Sequence, residues 1–274
     1  MQVFTWRQFC WGITILFFFS FALLAVSETR LVVARHNGEY PIDIREIPVL
    51  NYHKVDSLYH ALSLSPQEFD EQMQYLYENG FTTINPDQLM AYLKSGKPLP
   101  EKPILITFDD GYLDNYTNAY PILQKYGFTA TIFVVTNLVN QDERFMTWDQ
   151  IREMQKNGFV FGSHTVNHVP LTSLSKEEIK KELRDSREEM AKQLGKAPRY
   201  FAYPTGAYTL EIEDMAREAG YKAAFTIHYG RVGADSDLFA LERIPIFKGQ
   251  KTFRSFFIRL NGAPILEHLD MMKN

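Results

Sequence analysis

The chain has 274 residues, 45% hydrophobic and 23% charged, with a net charge of −4. That is an ordinary globular balance, enough chain for one large domain or two small ones. With no basic excess, neither nucleic acid nor an anionic membrane surface is selected as a partner.

The N-terminus stands apart. Residues 1–8 carry Arg7 and no acid, and residues 9–26, FCWGITILFFFSFALLAV, carry no charge. The small residues of AVS at 25–27 suit a signal peptidase. Residues 1–27 therefore read as a signal peptide, or as an N-terminal membrane anchor if uncleaved, since their apolar run is at the lower limit for spanning a bilayer. Either way the body of the protein is expected outside the cytoplasm, secreted or held at the outer face of the cytoplasmic membrane. The single cysteine, Cys10, lies in this segment, so the exported part has no disulfide and no thiol chemistry. Residues 28–47 are poorly patterned and read as a linker or approach segment. Residues 48–274 read as one domain.

Within that domain strands and helices alternate. IPVLNYH (47–53) is a strand. Residues 65–80 form a helix with Ser65 as N-cap, Pro66 in the first turn, Glu68 closing a capping box and Gly80 past the end. A short helix over 86–96 leads to the strand KPILITFDD (102–110), a helix over 118–127 and a buried strand over 130–136. The helix over 147–158, capped by Thr147, precedes the strand FVFGSH (159–164). The longest helix spans 175–195. The strand YFAYP (200–204), a helix over 209–220 and strands at 223–227 and 243–247 complete the series. Strands separated by helices and short loops predict βαβ units and a parallel sheet. The expected fold is α/β, a distorted (β/α) barrel of seven or eight strands, with a doubly wound open sheet as the alternative.

In such a barrel the chemistry sits at the carboxyl ends of the strands. The polar strand ends are His53, Asp109 with Asp110, and His164 with His168. The four-residue spacing of the two histidines brings both imidazoles to one side. Asp110 would complete an Asp-His-His set for a divalent metal, zinc above all, with cobalt, nickel or iron also suited. Successive side chains diverge along a strand, so one of the adjacent aspartates faces the metal and the other a substrate water. An adjacent carboxylate can take the proton of a water acidified by the metal. The bland alternatives are an Asp-Asp-Gly turn and two solvated loop histidines.

TFDDG at 107–111, HTVNH at 164–168 and RYFAYPTGAY at 199–208 resemble, in order and spacing, three motifs of the polysaccharide deacetylases (NodB-homology domain, carbohydrate esterase family 4). The resemblance spans most of residues 48–247. It implies a distorted, NodB-like (β/α) barrel that hydrolyses acetyl groups on glycans. It further implies Asp109 as general base and Asp110, His164 and His168 as metal ligands. A backbone N–H near Thr205 would help hold the oxyanion, and Thr165 would support the histidine loop. Tyr203, like Tyr52, either packs near the sugar or belongs to the core.

The chain departs from the family pattern in two places. Where the third motif usually carries an arginine that orients the base, this chain has Ala202. Arg243 could reach in from the last strand, with Arg199 a weaker candidate. The late leucine-rich motif that ends in the acid histidine is also not evident. In a closed barrel the first and last strands are neighbours, so His53 is favoured over His228 as general acid. That permuted arrangement resembles the subgroup acting on poly-β-1,6-N-acetylglucosamine. The expected activity is metal-dependent N-deacetylation of an acetylated amino-sugar polysaccharide, by a monomer, releasing acetate. Peptidoglycan and chitin oligomers are alternative substrates. The rivals are a glycoside hydrolase using two carboxylates and a glycan-binding pseudoenzyme.

Overall fold

The computed structural model describes residues 46–58, 61–246 and 253–268. The expected signal or anchor (1–27), and the linker up to residue 45, lie outside the described residues. No helix among the described residues is long and apolar enough to cross a membrane.

Among the described residues there are ten strands: β1 (Val49–Tyr52), β2 (Lys54–Val55), β3 (Ser63–Leu64), β4 (Thr82–Thr83), β5 (Pro103–Phe108), β6 (Thr131–Val134), β7 (Val160–Ser163), β8 (Tyr200–Ala202), β9 (Ala223–Tyr229) and β10 (Leu241–Pro245). Seven of them close a ring in the order β1-β10-β9-β8-β7-β6-β5, with β5 pairing back onto β1. Every pair in the ring is parallel. The short β4 pairs with the start of β5, Thr82 opposite Pro103, and adds an eighth strand outside the ring. The fold is thus the expected irregular (β/α) barrel, and the open sheet is excluded by the β1–β5 pairing.

Seven helices are described: α1 (Pro66–Glu78), α2 (Pro86–Ser95), α3 (Tyr120–Lys125), α4 (Trp148–Lys156), α5 (Lys176–Leu194), α6 (Leu210–Glu218) and α7 (Phe253–His268). Capping boxes start four of them: Ser65 with Glu68, Asn85 with Gln88, Thr147 with Gln150, and Ser175 with Glu178. Each box satisfies two amide donors that the first helical turn leaves unpaired. The helix expected over 118–127 is shorter, because a π-helical turn over Asn115–Ala119 precedes α3. Pro121 sits in the first turn of α3, where its missing N–H breaks no helical bond. The sequence reading placed no helix at α7. Gly262 and Pro264 interrupt that segment in the sequence.

The pleat sorts the core into an inside and an outside. Val49, Leu105, Phe133, Tyr200, Ala202, Ala223, Phe225 and Leu241 fill the barrel, joined by Leu89, Met90 and Tyr92 of α2. Tyr200, the first residue of β8, hydrogen-bonds to Asp87 of α2, so α2 closes the amino end of the barrel. The alternate residues Leu50, Tyr52, Ile104, Ile106 and Phe108 face outward and pack with residues of α1, α3, α4 and α7. Phe201, Tyr203 and Ala224 pack under α5 and α6.

Inside the barrel the fit is close at Gly162 of β7. A Cβ there would lie 2.5 Å from the Phe133 ring and 2.9 Å from the Tyr200 carbonyl oxygen. Gly162→Ala is expected to destabilise the fold by about 1–3 kcal/mol through overpacking. Denaturant unfolding measures it, and an unchanged midpoint would contradict the packing account.

Candidate active site at the carboxyl rim

Above the apolar interior the barrel turns polar. Asn51 of β1, Thr107 of β5 and Arg243 of β10 are all buried, and Asp109 follows β5 directly. The Asp109 N–H donates to the Tyr52 carbonyl at 3.0 Å, which keeps the backbone in the sheet to the strand's end. The chain then turns sharply. Asp110 (φ 72°) and Gly111 (φ 80°) both lie in the left-handed region. Gly111 fits only without a side chain, since its Cβ would meet Val134 Cγ1 at 2.8 Å. Asp109 thereby stays inside the barrel while Asp110 is aimed across the rim.

Asp109 is 1% exposed and Arg243 0%. Arg243 donates from Nη1 to Asp109 Oδ1 at 2.8 Å and from Nη2 to Oδ2 at 2.7 Å. Nε donates to the Thr226 carbonyl (2.7 Å) and Nη1 also to Thr107 Oγ1 (3.2 Å). Asn51 Nδ2 adds a bond to Asp109 Oδ2 at 3.0 Å. This bidentate fork fixes the plane of the carboxylate. Burial raises the Asp109 carboxyl, but the charge of Arg243, with His164 and His53 behind it, outweighs burial. Asp109 therefore lies below the ordinary carboxylate range and is ionised. Arg199 takes no part in this: at the start of the strand run it pairs with Asp87 at 2.8 Å.

His164 continues β7, its N–H donating to the Val134 carbonyl at 2.9 Å. Its Nδ1 lies 2.8 Å from the Ala202 carbonyl. A carbonyl only accepts, so Nδ1 carries the proton and Nε2 presents its lone pair. That Nε2 is 3.6 Å from Asp110 Oδ1, and His168 Nε2 is 3.3 Å from the same oxygen. Metal bonds of about 2.0–2.2 Å in a tetrahedron separate neighbouring ligand atoms by about 3.4 Å. Asp110 thus stands at that spacing from both imidazoles, and the three ligand atoms all lie within 4.8 Å of one another, compact enough to hold a divalent cation. Burial lowers both His164 and His168, outweighing the pull of the carboxylates, and neutral imidazole is the ligating form. Burial and the charge of Asp109 raise Asp110 against the pull of His164, a cost that a cation between the three would relieve.

Four of the five non-glycine residues with positive φ among the described residues sit at this rim: Asp110, Thr165, His168 and Thr205. Left-handed backbone costs about 1–3 kcal/mol at such residues and clusters where geometry serves a site. Thr165 is buried, and its Oγ1 accepts the His168 N–H at 3.0 Å. Thr205 (φ 59°) is exposed at the end of β8 and is followed by Gly206, which packs against Ile227.

His53 follows β1 with its Nε2 3.9 Å from Asp109 Oδ2. Asn115 Nδ2 donates to its carbonyl at 2.8 Å. His228 is exposed on β9 near Tyr208, ring centroids 5.7 Å apart. Of the two tyrosines left open by the sequence, both are core. Tyr203 donates to the Phe239 carbonyl at 2.9 Å and Tyr52 to Gln72 Oε1 at 2.7 Å. The Tyr203 side chain therefore does not line the rim.

Two site residues escaped the sequence reading. Asn51 passed without notice inside the strand IPVLNYH, although its position two before His53 marks the inward face. Tyr112 hydrogen-bonds to Asp110, and burial and that carboxylate push its phenol up to about 12. Its ring stacks on Phe145, centroids 4.8 Å apart. The signal for Tyr112 was its place directly after the Asp-Asp-Gly turn.

A parallel (β/α) barrel with an arginine-clamped aspartate beside an Asp-His-His cluster at its carboxyl rim defines a hydrolytic barrel enzyme. Residues 96–224 match the family model described as polysaccharide deacetylase. The chain is 34% identical to YxkH of Bacillus subtilis (strain 168), a provisionally named polysaccharide deacetylase, over 74% of this chain and 72% of that protein. It is 31% identical to the poly-beta-1,6-N-acetyl-D-glucosamine N-deacetylase of Staphylococcus aureus (strain MSSA476), over 67% of this chain and 68% of that one. Among solved structures, the Streptococcus pyogenes deacetylase PplD in complex with acetate superposes with a TM-score of 0.72 at 30% identity, covering 84% of this chain and 100% of that one. The chain belongs to the polysaccharide deacetylase family.

Proposed function

We propose that this protein hydrolyses N-acetyl groups from N-acetylglucosamine units of a polysaccharide outside the cytoplasmic membrane, with poly-β-1,6-N-acetylglucosamine the favoured polymer. The observation that carries this reading is the buried Asp109–Arg243 pair set against the Asp110, His164, His168 cluster. A divalent cation held by that cluster, zinc being well suited to it, supplies Lewis-acid polarisation and an acidified water. Asp109, ionised and fixed by Arg243, accepts the proton of the attacking water. The new carbon–oxygen bond forms as the amide carbonyl becomes an oxyanion, for which a backbone N–H near Thr205 is a donor. His53, from the neighbouring strand, donates a proton to the amide nitrogen as the carbon–nitrogen bond breaks. Acetate and a glucosamine amine leave. All these residues come from one chain, which supports a monomer as the working unit. The resemblance of the permuted His53 placement to the poly-β-1,6-N-acetylglucosamine subgroup favours that polymer, as does similarity to the Staphylococcus enzyme so named. The apolar run at residues 9–26 supports export.

The test is acetate release from poly-β-1,6-N-acetylglucosamine, peptidoglycan and chitin oligomers, with protein stripped by a strong chelator and then resupplied with zinc. Release should be greatest from the first, vanish on stripping and return with zinc. New reducing ends formed without acetate, and undiminished by chelation, would favour the glycosidase, and neither product from any polymer would favour the binding protein. The acid is tested separately. His53→Ala is expected to lower kcat by about 10²–10⁴-fold, and His228→Ala to change it little. The reverse result would move the acid to β9.

A further inference from the structure

The loop that carries the two histidines is held by a residue of the helix that follows it. His164 is placed by the sheet and by the Ala202 carbonyl. His168 has no such support, because it lies beyond β7 with φ 58° and follows Thr165 at φ 70°. Every amide of residues 165–168 goes to a side chain. Thr165 N–H donates to Ser163 Oγ at 3.1 Å, and His168 N–H to Thr165 Oγ1 at 3.0 Å. The two between them, Val166 and Asn167, donate to one oxygen, Glu182 Oε2, at 2.9 and 3.0 Å. Asn167 Nδ2 donates to the other, Oε1, at 2.5 Å.

Glu182 sits on the buried face of α5, among Ile179, Leu183, Ser186 and Met190. A carboxylate on such a face is costly unless its oxygens are well bonded. Ser186, one turn on, accepts from Ser163 Oγ at 2.8 Å and donates back to the Glu182 carbonyl at 2.7 Å. The two polar residues on this apolar face of α5 thus both serve the end of β7. Consecutive amides converging on one anion through left-handed residues form a nest. Here the anion is part of the protein, and it acts with the Thr136 and Asn137 N–H groups, which donate to the Thr165 and Val166 carbonyls at 3.1 Å each, to hold the left-handed backbone of Thr165 and His168.

We propose that Glu182 is a positioning residue for the metal site. By binding the Val166 and Asn167 amides it keeps His168 Nε2 within reach of Asp110, without itself touching metal or substrate. The inference rests on the reading of Asp110, His164 and His168 as metal ligands.

The experiment is zinc titration into metal-stripped full-length protein, read by competition with a chromophoric chelator, with unfolding of the stripped protein followed in parallel. Glu182→Ala is expected to bind zinc about 10- to 100-fold more weakly than the parent, as for other residues that orient ligands. Glu182→Gln, whose amide oxygen can still accept both backbone amides, is expected to recover most of that loss. Acetate release by Glu182→Ala should return to the parent rate at saturating zinc. Should the alanine variant not fold, Glu182→Asp draws the carboxylate back by one methylene and carries the same test. Glu182→Ala, or Glu182→Asp in its place, binding zinc as tightly as a zinc-binding parent overturns the inference alone. So does a loss of activity that saturating zinc does not repair. A parent that takes up no zinc overturns the reading beneath it, and the inference with it.

Discussion

The Asp109→Asn variant is expected to release acetate at least about 10²–10⁴-fold more slowly than the parent, the range a general base contributes, while still taking up zinc. The two halves of this expectation come from different atoms. Asparagine has almost the shape of aspartate but cannot accept a proton from water at neutral pH. The ligand atoms of the metal cluster come from Asp110, His164 and His168 alone, so the substitution removes none of them. The substitution also removes the counter-charge of Arg243, which is wholly buried. Activity is therefore compared well below the variant's unfolding midpoint, with zinc stoichiometry measured on the same sample. Parent-like acetate release would show that the base lies elsewhere. Loss of zinc together with activity would show that Asp109 belongs to the metal site.

The barrel was readable because its parallel strands are buried on both faces and its helices begin with explicit caps. PILITF at Pro103–Phe108 is entirely buried, and four capping boxes mark the starts of helices. Once the strands were placed, their carboxyl ends named Asp109, Asp110, His164, His168 and His53 together, because a closed barrel brings all strand ends to one rim. Residues whose role depends on which way a side chain points were harder to read. Tyr203 follows β8 but faces outward under α5 and α6, whereas Ala202, one residue earlier, faces in. The sequence showed a missing arginine at Ala202 and two possible replacements. Only the closure of β10 onto β1 carries Arg243 across the barrel to Asp109, from 134 residues away. Glu182 lay beyond reach for a related reason. In the sequence it is one acid among many on a charged helix, and its partners are backbone amides of a loop whose shape no local pattern declares.

Arg243→Leu is expected to destabilise the fold by about 3–5 kcal/mol, because removing one partner of a buried pair leaves the other charge uncompensated. Arg243 is wholly buried with its guanidinium 5.8 Å from the Phe133 ring centroid, and it holds Asp109, Thr107 and the Thr226 carbonyl at once. Leucine fills part of that space and satisfies none of those acceptors. The double variant Arg243→Leu, Asp109→Asn removes the charge from both sides and should regain a large part of the loss. Chemical unfolding of the parent, both single variants and the double variant closes the cycle. Strictly additive losses would mean the pair is not coupled. The sign with pH follows from Asp109, whose folded carboxyl lies below its ordinary value. A depressed carboxyl stabilises the fold at pH above its unfolded value of about 3.9 and loses that contribution as pH falls through the folded value. The stability gap between parent and Arg243→Leu should therefore be widest near neutrality and narrow on acidification, as Asp109 becomes neutral in the variant first. A gap that widened in acid would place the stabilising charge on some other group.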